Sequence, residues 1–546
     1  MIFLSILLLA VLITISMMPA LSTLAIHCNI AVDLPGERKV HTRAVPRIGG
    51  VAMACGVIMP LLYWFHADRF VIVFLTGATT LVIFGLLDDI YDLSPKTKLV
   101  GHVLAALIVI IGGGVQIRTL GSLVPDNTQL SEVISLPLTL LAIVGATNAI
   151  NLSDGLDGLA GGISMLIFAT LGYLAYLVGC QTIGLISLAL VGALFGFLRF
   201  NTHPASVFMG DAGSQFLGFS AATLSIALTQ GTPTLSPVLP LILLGFPILD
   251  TLTVMVTRMV QRRSPFAADK NHFHHHLLGL GLHHAESVLV IYVLQAVLVV
   301  AALLLRYFSD WFILIGYLGF SSAVLFFFDR YRKKGRQPWR LDIFETRIAG
   351  RLRILKREGI MIRRIFPVFV VGIPLLVVIS CLAATDVPPY LSIAALVLLI
   401  VIGLTWIIAK KWLGWVLRGT LYLLIPFAVY LSETYPASWL SGSVVHGGFN
   451  ILFAVFSILI LIISKFSRRN NGFKSSPMDF LIIILAVAVP NLPDQRIQEY
   501  QIGLVAAKII MLYFSFEVLL AEQRGKYTLI AASTMMSLLL LASHSI

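Results

Sequence analysis

Polar stretches that could do chemistry interrupt an otherwise apolar chain. The segment LLDDIYD carries Asp88 and Asp89, with Asp92 one turn on. On a helix, positions 88/92 and 89/92 are neighbours, so three carboxylates are expected to converge. Crowded carboxylates repel unless a cation or a shared proton relieves them. The plain alternative is a solvated helix end. In NAINLSDGLDGLAGG, Asn148, Asn151, Asp154 and Asp157 recur every third residue. That spacing is expected to project carboxamides and carboxylates to one side. Oxygen donors of this kind suit Mg²⁺, which binds through one or two carboxylates plus substrate phosphates. Asp211 stands between Gly210 and Gly213 in FMGDAGS, where Ser214 is expected to cap a helix. A lone Asp before a helix is a weak signal by itself.

Two further stretches are basic. DLPGERKVHTRAVPRIGG holds Arg38, Lys39, Arg43 and Arg47, which could grip phosphates. In RRSPFAADKNHFHHHLLGLGLHH, His272, His274, His275 and His276 cluster near Arg262, Arg263 and Lys270. Zinc is disfavoured, because no Cys accompanies them and the spacing is not HExxH. Several donors beside arginines suit a pyrophosphate instead. His283 and His284 are expected to be interfacial.

The elements that must position these groups are membrane spans. The chain has 546 residues, 58% hydrophobic and 12% charged. A soluble domain carries roughly twice that charged fraction. Runs of about 20 apolar residues, each long enough to cross a bilayer as a helix, recur throughout. Eleven such spans are predicted up to about residue 328, and seven more follow from about residue 366. The expected fold is therefore an all-α polytopic membrane protein. Met1 to Ile26 has no basic n-region and reads as a retained first helix. The chain divides into a catalytic membrane part (1–330), a basic linker (331–365) and a second helical membrane part of unknown role (366–546). Part of the linker could lie along an anionic leaflet.

The net charge of +12 comes from bases flanking spans, so nucleic acid is not an expected partner. Loops numbered alternately separate into a basic set and a set holding little beyond Arg69, Arg118 and Arg496. The positive-inside bias predicts that the basic loops, and with them the polar motifs, face the cytoplasm. Cys28, Cys55, Cys180 and Cys381 lie far apart, which excludes a CxxC metal or redox motif.

In this order the motifs resemble those of the polyprenyl-phosphate N-acetylhexosamine-1-phosphate transferases, glycosyltransferase family 4. That superfamily also holds the phospho-N-acetylmuramoyl-pentapeptide transferases. The resemblance covers about residues 1–330, and the first loop looks like the N-acetylhexosamine branch. The family's HxHH pattern fits His272, His274 and His275. The resemblance implies transfer of an N-acetylhexosamine-1-phosphate from a UDP-sugar to undecaprenyl phosphate, with release of UMP. It implies Mg²⁺, with Mn²⁺ an alternative, held by Asp211 and Asn151. Asp88 would orient or deprotonate the lipid phosphate, supported by Asp89. Asp154 and Asp157 would order their loop or contact the nucleotide. Arg262, His272, His274 and His275 would bind the diphosphate, His274 closest to the chemistry, with Arg38, Lys39, Asp92 and Asn148 as further substrate contacts. A bacterial inner membrane follows from the same resemblance, the charge bias puts the active site on its cytoplasmic side, and a homodimer is compatible with this reading. The rival reading is a transporter or flippase of lipid-linked sugars. Transporters show internal repeats and midplane ionisable groups, whereas here the acids sit at span ends and only Lys508 is clearly intramembrane.

Overall fold

The computed structural model describes residues 2–33, 44–65, 68–125, 128–264, 272–333, 360–440, 442–466, 502–523 and 527–543. The protein is an all-α polytopic membrane protein. Its one sheet among the described residues is a two-residue antiparallel pairing of β1 (Val32–Asp33) with β2 (Val45–Pro46). Among the described residues, eleven helices are long and apolar enough to cross a membrane. The chain divides into two compact units, Met1–Arg340 and Leu341–Ile546.

The first unit contains α1 (Ile2–Cys28), α2 (Gly49–Phe65), α3 (Arg69–Tyr91), α4 (Pro95–Leu107), α5 (Glu132–Leu152), α6 (Leu159–Leu177), α7 (Gln181–Asn201) and α8 (Gly210–Gly231). The short α9 (Leu239–Leu243), α10 (Gly245–Val260) and α11 (Phe273–Gly279) follow, then α12 (His284–Leu305) and α13 (Asp310–Lys333). The core of this unit is α8, with 17 of its 22 residues buried. It packs against α2, α3, α5, α6, α7 and α9. Hydrophobic burial alone does not drive helices together in lipid, so small residues that allow close approach matter more. A Cβ on Gly50 would collide with the Gly213 backbone, and one on Gly85 with Ala212. These contacts press α2 and α3 onto the first turn of α8, where Asp211 lies.

The span expected at about 237–257 is broken between α9 and α10. Broken helices persist in membranes only where the freed backbone groups find partners. Gln295 of α12 supplies two, accepting from Phe246 N–H at 3.3 Å and donating to the Leu243 carbonyl at 2.7 Å. Tyr317 Oη donates to the Gly245 carbonyl at 2.9 Å.

The second unit contains α14 (Ile360–Ala383), α15 (Pro389–Ile408), α16 (Leu413–Thr434), α17 (Ser443–Phe466), α18 (Ile502–Gln523) and α19 (Thr528–Ser543). Six of the seven expected C-terminal spans are therefore helices; the one at 477–490 lies outside the described residues. So does most of the basic linker. The core of this unit includes Phe369, Ile373, Leu417, Ile425, Leu512 and Leu519.

Candidate active site

The candidate residues gather where α2, α6, α8 and α12 begin and where α3, α5 and α7 end. Ties such as Asp68 to Thr182 (3.2 Å), Gln230 to Thr119 (3.0 Å) and Asp310 to Ser122 (2.7 Å) join the other ends of the same helices. The polar motifs thus share one end of the bundle. An open pocket of about 540 Å³ lies there, lined by residues including Arg47, Asp89, Asn151, Asp154, Asp157 and Asp211.

The three carboxylates of LLDDIYD diverge rather than converge. Helix α3 ends at Tyr91, and Asp92 caps it in a left-handed conformation (φ 51°) that turns its side chain out to solvent. Asp88 is buried, and its carboxylate accepts from Leu93 N–H at 2.7 Å. Its other oxygen lies 2.5 Å from Lys98 Nζ, which also reaches Asp211 Oδ2 at 3.1 Å. Lys98 is a site residue that sequence reasoning missed. The signal was local: Ser94 caps α4, with Pro95 in its first turn, so the chain reverses after Asp92 and brings Lys98 back to Asp88. Asp89 has a separate task. It accepts from the N–H groups of Asp211 (3.1 Å) and Ala212 (3.2 Å), two otherwise orphaned donors at the start of α8. A carboxylate there also suits the positive end of the helix. Asp89 therefore fixes Asp211, and Ser214 is not the cap; its hydroxyl donates to Asn151 Oδ1 at 2.6 Å.

The spacing of three in NAINLSDGLDG does not lie on one helix face. Helix α5 ends at Leu152, so Asp154 and Asp157 belong to a turn. Asn151 reaches the pocket, whereas Asn148 is exposed and lines no part of it. The Asp154 carboxyl is pushed up to about 8, first by burial and then by the charges of Asp211, Asp89 and Asp157. Asp157 is held below the usual carboxylate range. Burial would raise it, but the hydrogen bonds from His203 Nδ1 (2.7 Å) and Ala205 N–H (3.1 Å) outweigh that. Asn201 and His203 of the α7–α8 segment and His284 of α12 also line the pocket, all unassigned by sequence reasoning, which placed His284 at the interface.

The histidine segment is split. His274 is buried against Gly155, where a Cβ would strike its Nε2. Burial first, then His275, lowers its pKa to about 4, so it is neutral at physiological pH. His272 is buried away from the pocket lining, 3.0 Å from Asp250, which also accepts from Phe273 N–H at 2.7 Å. Asp250 is a buried acid within α10, so Lys508 is not alone among ionisable groups inside helices. His275 and Arg262 are exposed and line no part of the pocket; Arg262 follows α10 with φ 56°. Arg38 and Lys39 lie outside the described residues.

Asp211, Asn151 and Asp154 line the pocket with oxygen donors, and Asp88 is joined to Asp211 through the shared Lys98 ammonium. An oxygen-only set with several negative charges fits a hard divalent cation such as Mg²⁺. The bridging ammonium of Lys98 shows that positive charge is accommodated between Asp88 and Asp211.

Comparison with known proteins identifies the family. Residues 71–229 match the glycosyl transferase family 4 model, a segment running from α3 to α8. A probable undecaprenyl-phosphate N-acetylglucosaminyl 1-phosphate transferase of Bacillus subtilis (strain 168) is 39% identical over 297 residues, which cover 54% of this chain and 82% of the relative. The undecaprenyl-phosphate alpha-N-acetylglucosaminyl 1-phosphate transferase of Escherichia coli (strain K12) is 29% identical over 334 residues, covering 59% and 88% respectively. On this likeness the chain belongs to glycosyl transferase family 4, the polyprenyl-phosphate N-acetylhexosamine-1-phosphate transferases.

Proposed function

We propose that the protein transfers N-acetylglucosamine-1-phosphate, or a close N-acetylhexosamine analogue, from its UDP derivative to undecaprenyl phosphate. An oxygen of the lipid phosphate attacks the β-phosphorus of the donor. The bond from that phosphorus to the bridging oxygen breaks, and UMP leaves with the oxygen. The reaction joins two anions, so catalysis must come from charge neutralisation and positioning.

The observation that carries this reading is the Asp88–Lys98–Asp211 bridge at the end of an apolar helix bundle, beside an open polar pocket. There a lipid phosphate can arrive from the bilayer while a nucleotide enters from water. Lys98 offers a cation to a phosphate oxygen. Asp88 orients the lipid phosphate; a phosphate monoester has its second pKa at about 6, so little deprotonation is needed. Asp211 and Asn151 would hold Mg²⁺ or Mn²⁺, with Asp154 close by. The metal would neutralise the diphosphate and stabilise charge developing on the leaving UMP. Neutral His274 is suited to hydrogen bonding rather than to charge pairing. The bacterial relatives support a bacterial inner membrane, and the positive-inside distribution of basic loops supports placing this pocket on its cytoplasmic side.

The test is a donor screen. Purified protein is incubated with undecaprenyl phosphate, Mg²⁺ and UDP-N-acetylglucosamine or UDP-N-acetylgalactosamine, and UMP is measured. Release that needs both lipid and metal is expected. UMP absent with every UDP-hexosamine would refute the reading.

A further inference from the structure

Two histidines, His203 and His284, line the pocket, and their contacts are opposite in sense. His203 Nδ1 lies 2.7 Å from Asp157 Oδ2. An ionised carboxylate can only accept, so this ring nitrogen donates. His284 Nε2 lies 3.1 Å from the backbone N–H of the same Asp157, so this nitrogen accepts and carries no proton. The two rings stack, centroids 4.2 Å apart and planes 19° from parallel. One residue of the pocket wall is thus held by both its side chain and its backbone, from two separate elements.

The neighbouring residue is held as firmly. Gly158 adopts φ 81°, its N–H donates to Asn201 Oδ1 at 2.9 Å, and its carbonyl accepts from Tyr292 Oη at 2.6 Å. The amides of Asp157 and Gly158 precede α6, where no intrahelical acceptor exists for them. Asn201 is itself fixed, donating to the Val207 carbonyl at 2.9 Å. Asp154, Gly155, Leu156 and Asp157 all line the pocket, so whatever sets this turn also sets the shape a ligand meets. His284 and Tyr292 belong to α12, beyond the matched segment 71–229.

We propose that His203 and His284 are a pair of positioning residues that fix the 154–158 turn for the donor substrate, one by donating to Asp157 and the other by accepting from it. The proposal rests on the transferase reading above. It makes α12 part of the apparatus that shapes the donor site, not merely a span that packs beside it.

The opposite senses and different ring nitrogens give a specific rescue pattern. A glutamine amide oxygen reaches about as far as Nε2, and an asparagine amide nitrogen about as far as Nδ1. H284Q should keep the acceptor for the Asp157 N–H, while H284N and H284A lose it. H203N should keep the donor to the Asp157 carboxylate, while H203Q and H203A lose it. The full-length protein is tested in detergent by two measurements. The first is hydrogen exchange at the Asp157 amide, which needs no activity. H284A and H284N should exchange faster than wild type, and H284Q should be protected. The second is kinetics with UDP-N-acetylglucosamine and undecaprenyl phosphate. H284A and H203A should raise KM for the nucleotide sugar by about tenfold to a hundredfold, as expected for a displaced positioning group. KM for the lipid should hold, and H284Q and H203N should restore the donor KM. A purely structural role would lower the active fraction and kcat without moving KM. Unchanged exchange in H284A, or an equal effect of Gln and Asn at each position, would overturn the proposal. A wild-type protein without transfer activity would instead overturn the transferase reading, leaving the exchange pattern to decide whether the clamp exists.

Discussion

The two units place ionisable groups in opposite ways. In the first unit, the carboxylates and imidazoles of the candidate site sit at helix ends around a pocket open to water. In the second, Lys508 is buried at 2% exposure among helices α16, α17 and α18. Its ammonium reaches Glu433 and Asn450, each at 2.5 Å, and lies 4.9 Å from the ring centres of Phe449 and Phe453. Glu433 also meets His446 at 3.0 Å. Burying a charge is tolerable when it is paired and hydrogen-bonded, and here the pairing is internal. In the first unit Lys98 bridges two acids at a water-accessible surface, where a bound anion or cation can rearrange them. One arrangement spends its charges on holding helices together, and the other leaves them available to ligands.

The comparison breaks if the two clusters respond alike to mutation. The largest effect is expected at Asp211. D211N should lower transferase activity by at least about a hundredfold, the scale of losing one group that stabilises transition-state charge. Because the Asp211 side chain is partly exposed, the melting temperature should scarcely move. Activity within a few-fold of wild type would remove Asp211 from the chemistry. At Lys508 the pattern should invert. K508M leaves Glu433 buried without its cation, which typically costs about 3–5 kcal/mol. The double variant K508M/E433L removes both charges and should recover most of that loss in thermal unfolding. If the single and double variants were equally unstable, pairing would not be what makes Lys508 tolerable. At Gly85, alanine would drive a Cβ into the Ala212 backbone. G85A should cost about 1–3 kcal/mol, the usual range for overpacking, and lower activity by displacing Asp211. Wild-type stability and activity in G85A would show that the α3–α8 approach is looser than this.

How much of this was legible in the sequence depended on how far apart the partners lie in the chain. Helix ends and glycine-rich turns are local signals, so the residue pattern alone reveals the candidate segments and the side they share. Asp88 and Asp211 were legible as candidates for the same reason. The division of labour between Asp88 and Asp89 was not, because Asp89 acts on an N-terminus 122 residues away in the chain. Helical periodicity stops at Leu152, and the turn that follows abolishes the shared face that the spacing predicts for Asp154 and Asp157. The histidine cluster read as one binding surface, yet Asp250 draws His272 aside while His274 turns to Gly155. His203 and His284 carried no spacing signal, since 81 positions separate them and only the fold stacks their rings.

A smaller, pH-dependent effect sharpens the account of the turn. Asp157 has a folded pKa below its ordinary value of about 3.9. A depressed carboxyl stabilises the fold above that ordinary value, and the contribution is lost as pH falls through the lower folded value. Wild type should therefore melt above H203A at about pH 6, with the gap narrowing towards about pH 3. A gap that widens on acidification would contradict the direction assigned to Asp157.

The central claim is that a sugar phosphate, not a bare sugar, moves onto a lipid phosphate at this site. It is tested most directly with UDP-N-acetylglucosamine carrying a radioactive β-phosphate. Wild-type protein supplied with undecaprenyl phosphate and Mg²⁺ should move the label into the lipid phase and release unlabelled UMP, and D211N should leave the label in the water-soluble donor. Sugar reaching the lipid while the labelled phosphate stays behind as UDP would contradict the account.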